Sequence, residues 1–455
     1  MKVLLALHGF PDELIGGTEL SVRALAVNLL GLGHEVVVVA GSMAWEDGFR
    51  TSTEVQDTPH GPLTVHRIHR ADLYFDHWHK TREPRVAAAF RALLDSEQPD
   101  LVHVHHWVRL TDDLVATAAR AGIPAVVSLP DLWTSCLITF RVRPDTRRFC
   151  DVPLAPDPCL QCASILEPPT PWVERAQAVD LLERRRASVM RELSLARATI
   201  CNCVYQGDAI GRWVGVGLEP DLIPPGIDYA PTRRAAPDQG RPLTLGCWGH
   251  LSQLKGADVL LDALHRLRDP RSIRIVFAGA PVEPEYFELL QARAEGLDVE
   301  FHGAYDRAEL ERHPVTDVHL MVSGSRASES WGIVVDEALL LGLPCVLPAA
   351  GAFVERTAGA AWARTYASGD SQDLARVLQS LVDEPELVAR MRSAIPVNGE
   401  ATIDGLEHAR RTVTVYERVL CLGAPDAPVE DPHEVADAIR AIDAWDGACR
   451  GDLRE

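Results

Sequence analysis

The chain has 455 residues, room for two or three domains at roughly 150 residues each. With 47% apolar and 24% charged residues it has an ordinary globular composition, which excludes disordered and fibrous classes. A formal charge of −20 excludes the electrostatic footprint of a nucleic-acid or anionic-membrane binder, yet leaves room for local basic sites that hold a small anion.

The first apolar run, Val3–Leu7, stops at His8 and Pro11. It is too short for a secretory core and suits a buried strand. No run reaches the ~18 apolar residues that span a bilayer, so a cytoplasmic protein is expected. A loop carrying Gly16 and Gly17 follows, then an amphipathic stretch from Glu19 to Leu32. Glu35–Ala40 holds four consecutive valines, the mark of a strand covered on both faces. Leu101–Val104 and Ala125–Leu129 read as further strands around a helix over Leu114–Ala121. Strand–helix–strand order predicts a parallel sheet with right-handed crossovers.

The stretch Leu222–Gly240 is rich in Pro, Gly and Arg, lacks periodicity and reads as a linker. A second alternation starts at Pro242, with strands at Leu243–Cys247, Ile273–Ala278, Val299–His302, Val318–Val322 and Cys345–Leu347. Helices are expected over Gly256–Leu267 and Tyr286–Ala294, and a polar helix over His433–Trp445. The expected class is α/β, two facing doubly wound, Rossmann-like domains. The first spans 1–221, with a Cys-rich insertion over about 134–165. A linker covers 222–241, the second domain 242–420, and a helical tail 421–455. Such domains bind nucleotides in the cleft at the carboxyl ends of their strands.

Three segments carry chemistry. Gly16-Gly17 sits between a strand and a helix, where the backbone can approach a ligand and free N–H groups meet an anion. Gly249-His250-Leu251-Ser252-Gln253-Leu254-Lys255-Gly256 repeats that placement, with Lys255 as a point charge for phosphate. Lys255 stands out because the chain holds only three lysines, the rest of its 45 basic residues being arginine, as a GC-rich genome would produce. The third segment runs from Glu329 through Ser330, Trp331, Gly332 and Ile333 to Glu337. It sets one carboxylate before a helix start and another two turns in, and carboxylates accept from vicinal sugar hydroxyls. A plain turn, an exposed lysine and a solvated helix are the alternative readings of the three.

Together the Gly-Gly loop, the G-x-L-x-x-x-K-G segment and Glu-x7-Glu before Gly342-Leu343-Pro344 resemble glycosyltransferase family 4. The likeness runs from about Lys2 to Leu420 and includes Pro99–His105, Gly226-Ile227-Asp228 and Asp370. It implies the two-domain GT-B fold and retaining transfer from a nucleoside-diphosphate sugar to a small-molecule acceptor, with no cofactor needed for the chemistry. Lys255 and Gly16–Gly17 would then contact the donor diphosphate, Glu329 the sugar and Glu337 the ribose. Two positions depart from the family. His250 stands where an Arg is usual. In Ser128-Leu129-Pro130-Asp131-Leu132-Trp133, Pro130 stands where the family often has an acceptor-side His. Asp131, His105 or His106 would have to replace it, or the acceptor is a sulfur nucleophile that depends little on a base.

After that segment comes C-x13-C-x8-C-x2-C, namely Cys136, Cys150, Cys159 and Cys162. Four thiolates at this spacing would satisfy a tetrahedral structural zinc, and reduced structural thiols are the alternative. A GT-B epimerase and a non-catalytic nucleotide-sugar binder are the rival functions. A dinucleotide dehydrogenase is disfavoured, because neither half shows G-x-G-x-x-G with its distal acid.

Overall fold

The computed structural model describes residues 1–42, 49–70, 78, 82–166, 175–228, 231–233, 242–396, 402–427, 436 and 439–440. Among the described residues fourteen strands form two sheets. The first contains β1 (Lys2–Leu7), β2 (Glu35–Gly41), β3 (Arg50–Thr58), β4 (Gly61–His69), β5 (Leu101–Val104), β6 (Ala125–Leu129), β7 (Ala198–Cys201) and β8 (Asp221–Leu222). Its order is β3-β4-β2-β1-β5-β6-β7-β8, parallel except for the β3–β4 hairpin at one edge. The register sets Val3 beside both Val36 and Leu101, so the apolar runs of β1, β2 and β5 share one core.

The second sheet contains β9 (Leu243–Trp248), β10 (Ile273–Ala278), β11 (Asp298–Phe301), β12 (Leu320–Val322), β13 (Cys345–Pro348) and β14 (Ala363–Tyr366). All are parallel in the order β11-β10-β9-β12-β13-β14, so strand order reverses between β9 and β12. The first sheet reverses between β1 and β5. Ligands bind beside such reversals, at the carboxyl strand ends.

The helix Gly405–Leu422 differs from the sequence expectation, which placed residues up to 420 in the second domain. It packs on the first sheet. Ala409, Val415, Tyr416 and Val419 form a stripe at helical spacing and bury among Val3, Leu5, Leu25 and Leu29. Asp228 pins the crossing, accepting from Gly405 N and Asn28 Nδ2, both at 3.1 Å. Most of the expected helix at His433–Trp445 and half of the linker, 229–230 and 234–241, lie outside the described residues. Among the described residues no helix is long and apolar enough to cross a membrane.

Candidate functional site

At the end of β9 the chain turns at Gly249, and the loop leads to Gly256 at the start of the helix Ala257–Leu264. Only glycine fits at Gly256, which has φ +64° and where a Cβ would lie 2.0 Å from the Gly324 carbonyl oxygen. Arg326 fixes the loop, donating to Gln253 O at 2.9 Å and to both carboxylate oxygens of buried Asp258 at 2.7 Å. This frame delivers Lys255, whose Nζ lies 2.7 Å from Glu329 Oε1. Ser325 Oγ donates to the same oxygen at 2.7 Å. Burial works against ionising Glu329, but the Lys255 ammonium and the Ser325 hydroxyl hold its pKa below the usual value. His250 is exposed on the same loop.

Beyond Glu329 the chain bends at Gly332, which has φ +82° and caps the helix Ile333–Leu340. A Cβ there would lie 2.3 Å from the Phe353 ring. Asp336 secures the bend, accepting from Trp331 Nε1 at 2.7 Å and pairing with Arg356 at 2.6 Å. The Arg356 guanidinium stacks 4.2 Å from the Trp331 ring centroid. Glu337 is buried, accepting from Trp248 Nε1 at 2.8 Å with Arg307 Nε at the same distance. Its burial outweighs those partners and raises its pKa.

The first domain meets this loop directly. Ser330 Oγ donates to the Pro130 carbonyl at 2.6 Å, and Cys203 Sγ donates to Ser330 O at 3.5 Å. Tyr205 OH and Ser328 Oγ are 2.6 Å apart. Glu355 accepts from Val204 N and Tyr205 N, at the start of the helix Val204–Val214, at 3.3 and 3.0 Å. Gly17 faces Ile333, since a Cβ at Gly17 would lie 3.9 Å from Ile333 Cδ1. The structure thus brings Gly17 up to Ile333 and Pro130 up to Ser330.

Asp131 and His106 also come together. His106 Nε2 lies 3.4 Å from Asp131 Oδ2, and Trp133 N donates to Asp131 Oδ1 at 2.9 Å. Burial opposes ionisation of Asp131, but His106 and that N–H leave its pKa lowered. Burial also lowers the pKa of His106. The sequence reading missed two groups beside them, His8 and Glu19, whose Nε2 and Oε1 are 2.6 Å apart. The His8 ring lies 4.3 Å from the His106 ring. The available signal was a His at the carboxyl end of the first strand of a doubly wound sheet. His105 lies deeper, its ring tilted against that of His103 with centroids 3.9 Å apart.

The four cysteines of the expected metal site come to one place. Cys136, Cys150, Cys159 and Cys162 line one cavity of about 30 Å³ with Arg141 and Arg143. Among the described residues no three His, Cys, Asp or Glu side chains gather closely enough to hold a metal ion. The Arg141 guanidinium occupies the surrounding loop, donating to Ser135 O at 2.6 Å, Cys150 O at 2.9 Å and Val152 O. Burial raises the thiol pKa values of Cys136, Cys159 and Cys162. As placed, the four thiols share a cavity without closing into a tetrahedral set.

Two family models match, Glycosyltransferase Family 4 over residues 15–230 and Glycosyl transferases group 1 over residues 242–384. The chain belongs to glycosyltransferase family 4. A similar relative is the D-inositol 3-phosphate glycosyltransferase of Corynebacterium aurimucosum, 29% identical over 229 residues. That match takes in 47% of this chain and spans 52% of the relative, about half its length. Anabaena HepE, solved with UDP, superposes with a TM-score of 0.62 at 18% identity, covering 92% of this chain and 100% of HepE. Sucrose-phosphate synthase of Thermosynechococcus elongatus gives 0.64 at 16%, covering 93% and 100%. These structures share the GT-B fold with this family 4 chain. Its departures from the family pattern occupy different places, His250 at the loop surface and Pro130 where the two domains touch.

Proposed function

We propose that this chain transfers a glycosyl group, with retention of configuration, from a nucleoside-diphosphate sugar to a hydroxyl of a small acceptor. The Lys255–Glu329 pair carries the reading: a cation beside a carboxylate, at a strand-order reversal and against the facing domain. Residues 242–396 form the donor half. Residues 1–221 with the returning helix form the acceptor half.

In this reading Lys255, the Ile333 helix start and the Gly16–Gly17 loop offset charge on the departing diphosphate. No metal is needed. Glu329 receives sugar hydroxyls, and Glu337 receives ribose hydroxyls on the lone pairs that Trp248 and Arg307 leave open. Relatives named for D-inositol 3-phosphate make a phosphorylated polyol the first acceptor to test. Pro130 favours a second reading, a thiol or thione acceptor, because sulfur depends less on a positioned base.

The test is calorimetry and turnover with UDP-, GDP-, ADP- and TDP-sugars, alone and with D-inositol 3-phosphate or a thiol. Transfer to an acceptor supports the reading. An isomerised donor without acceptor indicates an epimerase, and binding without any donor chemistry indicates a binding protein.

A further inference from the structure

Both carboxylates of the Glu329–Glu337 segment meet a cation, Glu329 at Lys255 and Glu337 at Arg307. Arg307 belongs to none of the spaced patterns in the sequence. It opens the short 3₁₀ helix Arg307–Arg312 that follows β11, and its Nε reaches Glu337 Oε1, on the helix Ile333–Leu340, at 2.8 Å. The arginine side chain is 30% exposed and the glutamate side chain 5%, so the arginine is the half of the pair that still meets solvent. Its Nε and Nη2 are buried with no hydrogen-bond partner among the described residues. The N–H groups are therefore not aimed at Oε1, and the guanidinium acts on Glu337 as a neighbouring charge.

Glu337 depends on that charge. An ionised carboxylate only accepts, and Trp248 Nε1 fills one lone pair of Oε2 at 2.8 Å. The remaining lone pairs can take both hydrogens of a vicinal diol. A protonated Glu337 would turn one oxygen into a donor and lose its match to two donors. The surroundings favour the protonated form. Burial raises the Glu337 pKa, and Asp336 adds negative charge from the preceding position, although Arg356 pairs with it. Tyr305 brings no counter-charge, since burial and Glu337 itself keep its phenol neutral. Arg307 supplies the opposing positive charge.

We propose that Arg307 is a positioning residue that holds Glu337 as a carboxylate and thereby sets the preference of the donor half for a ribose carrying both its 2′- and 3′-hydroxyls. The ligand class is a ribonucleoside diphosphate or its sugar. The arginine acts through the carboxylate and not by touching the ligand. Carboxylate and diol meet alike before and during bond cleavage, so the contribution goes to donor binding and not to the chemical step. This inference rests on the transferase reading above and on the ribose role it gives Glu337.

Full-length variants test it: Arg307→Gln and Arg307→Leu, which both remove the charge, Arg307→Lys, which keeps it, Glu337→Gln, and Glu337→Gln combined with each neutral Arg307 variant. Calorimetry gives Kd for UDP, GDP and ADP and for their 2′,3′-dideoxy forms from about pH 5.5 to 8.5, and far-UV circular dichroism shows which variants fold. The parent should favour the ribonucleotide over its dideoxy form by about tenfold or more. The neutral Arg307 variants should lose most of that preference near pH 6 and regain part of it as pH rises, because without the cation Glu337 ionises only at higher pH. Their dideoxy affinity should stay within about twofold of the parent, and donor KM should rise more than kcat falls. Arg307→Lys should retain most of the preference. Glu337→Gln should lack it at every pH, and removing Arg307 as well should cost nothing further. Equal losses for ribose and dideoxy forms, tighter binding in the neutral variants, a lysine variant as impaired as they are, or additive losses in the double variants overturn the inference and leave the transferase reading intact. A parent that binds nucleotide but ignores the diol removes the ribose role of Glu337 and the inference with it. A parent that binds none of the nucleotides overturns the donor site itself.

Discussion

Removing the Lys255 ammonium separates the contribution of the Lys255–Glu329 pair to folding from its contribution to binding. The lysine side chain is 47% exposed and its partner 16%, so solvent screens much of their attraction. Such a pair is worth about 0–1 kcal/mol to stability. Glu329 keeps its Ser325 hydrogen bond when the lysine is gone. Lys255→Ala should therefore leave the unfolding midpoint nearly unchanged. A charge-assisted contact to a diphosphate is worth about 1.5–3 kcal/mol, so Kd should rise roughly tenfold to a hundredfold. Glu329→Gln should act in the opposite direction. The carboxylate competes with an incoming diphosphate for the same ammonium, so its removal should tighten nucleotide binding by up to about 1 kcal/mol while turnover falls. Calorimetry with the tightest of UDP, GDP, ADP and TDP, at low and high salt, reads both effects, and salt should weaken them together. An unchanged Kd in Lys255→Ala refutes the diphosphate assignment. Equal weakening in both variants would mean that Glu329 organises the loop and does not compete for the cation.

Arg356→Leu should destabilise the protein by about 3 kcal/mol in urea unfolding, because it strands buried Asp336 beside Trp331; a cost below about 1 kcal/mol would refute that pairing. Burial pushes the His105 pKa down to about 3. A histidine depressed on folding contributes stability above its unfolded pKa of roughly 6.5, and that stability is lost as pH falls toward the folded value, by about 1.4 kcal/mol per unit. His105→Leu should flatten the acid slope of unfolding free energy between about pH 6 and 4 by that amount, and an unaltered slope would count against it. Protein purified without added metal should carry substoichiometric zinc, with Cys136, Cys150, Cys159 and Cys162 reacting as free thiols. One zinc per chain would refute the structural assignment.

Much of the two sheets was legible because β1 and β2 are covered on both faces and show as continuous apolar runs, and β9 and β10 are short, largely apolar segments between turns. The β3–β4 hairpin was not legible. Arg50–Thr58 is an edge strand whose largely exposed, polar sequence carries no apolar alternation. β14 was missed for a similar reason, a four-residue strand with Arg364 and Thr365 at its centre. The helix Gly405–Leu422 was not read from the sequence, and its apolar stripe does not say which sheet it will cover. At the site, Lys255 and Glu329 could be picked out only as members of a spaced pattern. Their contact joins residues 74 positions apart. His8 and Glu19 carried only the position of a His at the end of the first strand, because what links them is the 2.6 Å between their side chains.

Position 130 shows how a backbone role can outlast a side-chain role. Its contact with the second domain is through the carbonyl oxygen, which accepts from Ser330 Oγ. Proline keeps a carbonyl and loses only its N–H, so this bond survives when the imidazole does not. The fixed φ of proline also limits the freedom of the loop that presents that oxygen. Ser330 is flanked by Glu329, which meets Lys255, and by Trp331, which is tied through Asp336 to Arg356. A hydrogen bond at residue 130 is thus one residue away from the cation–carboxylate pair of the donor half. Cys203, Tyr205 and Glu355 hold the same loop from either side. The alignment of the two halves therefore depends on main-chain and latch contacts that tolerate proline.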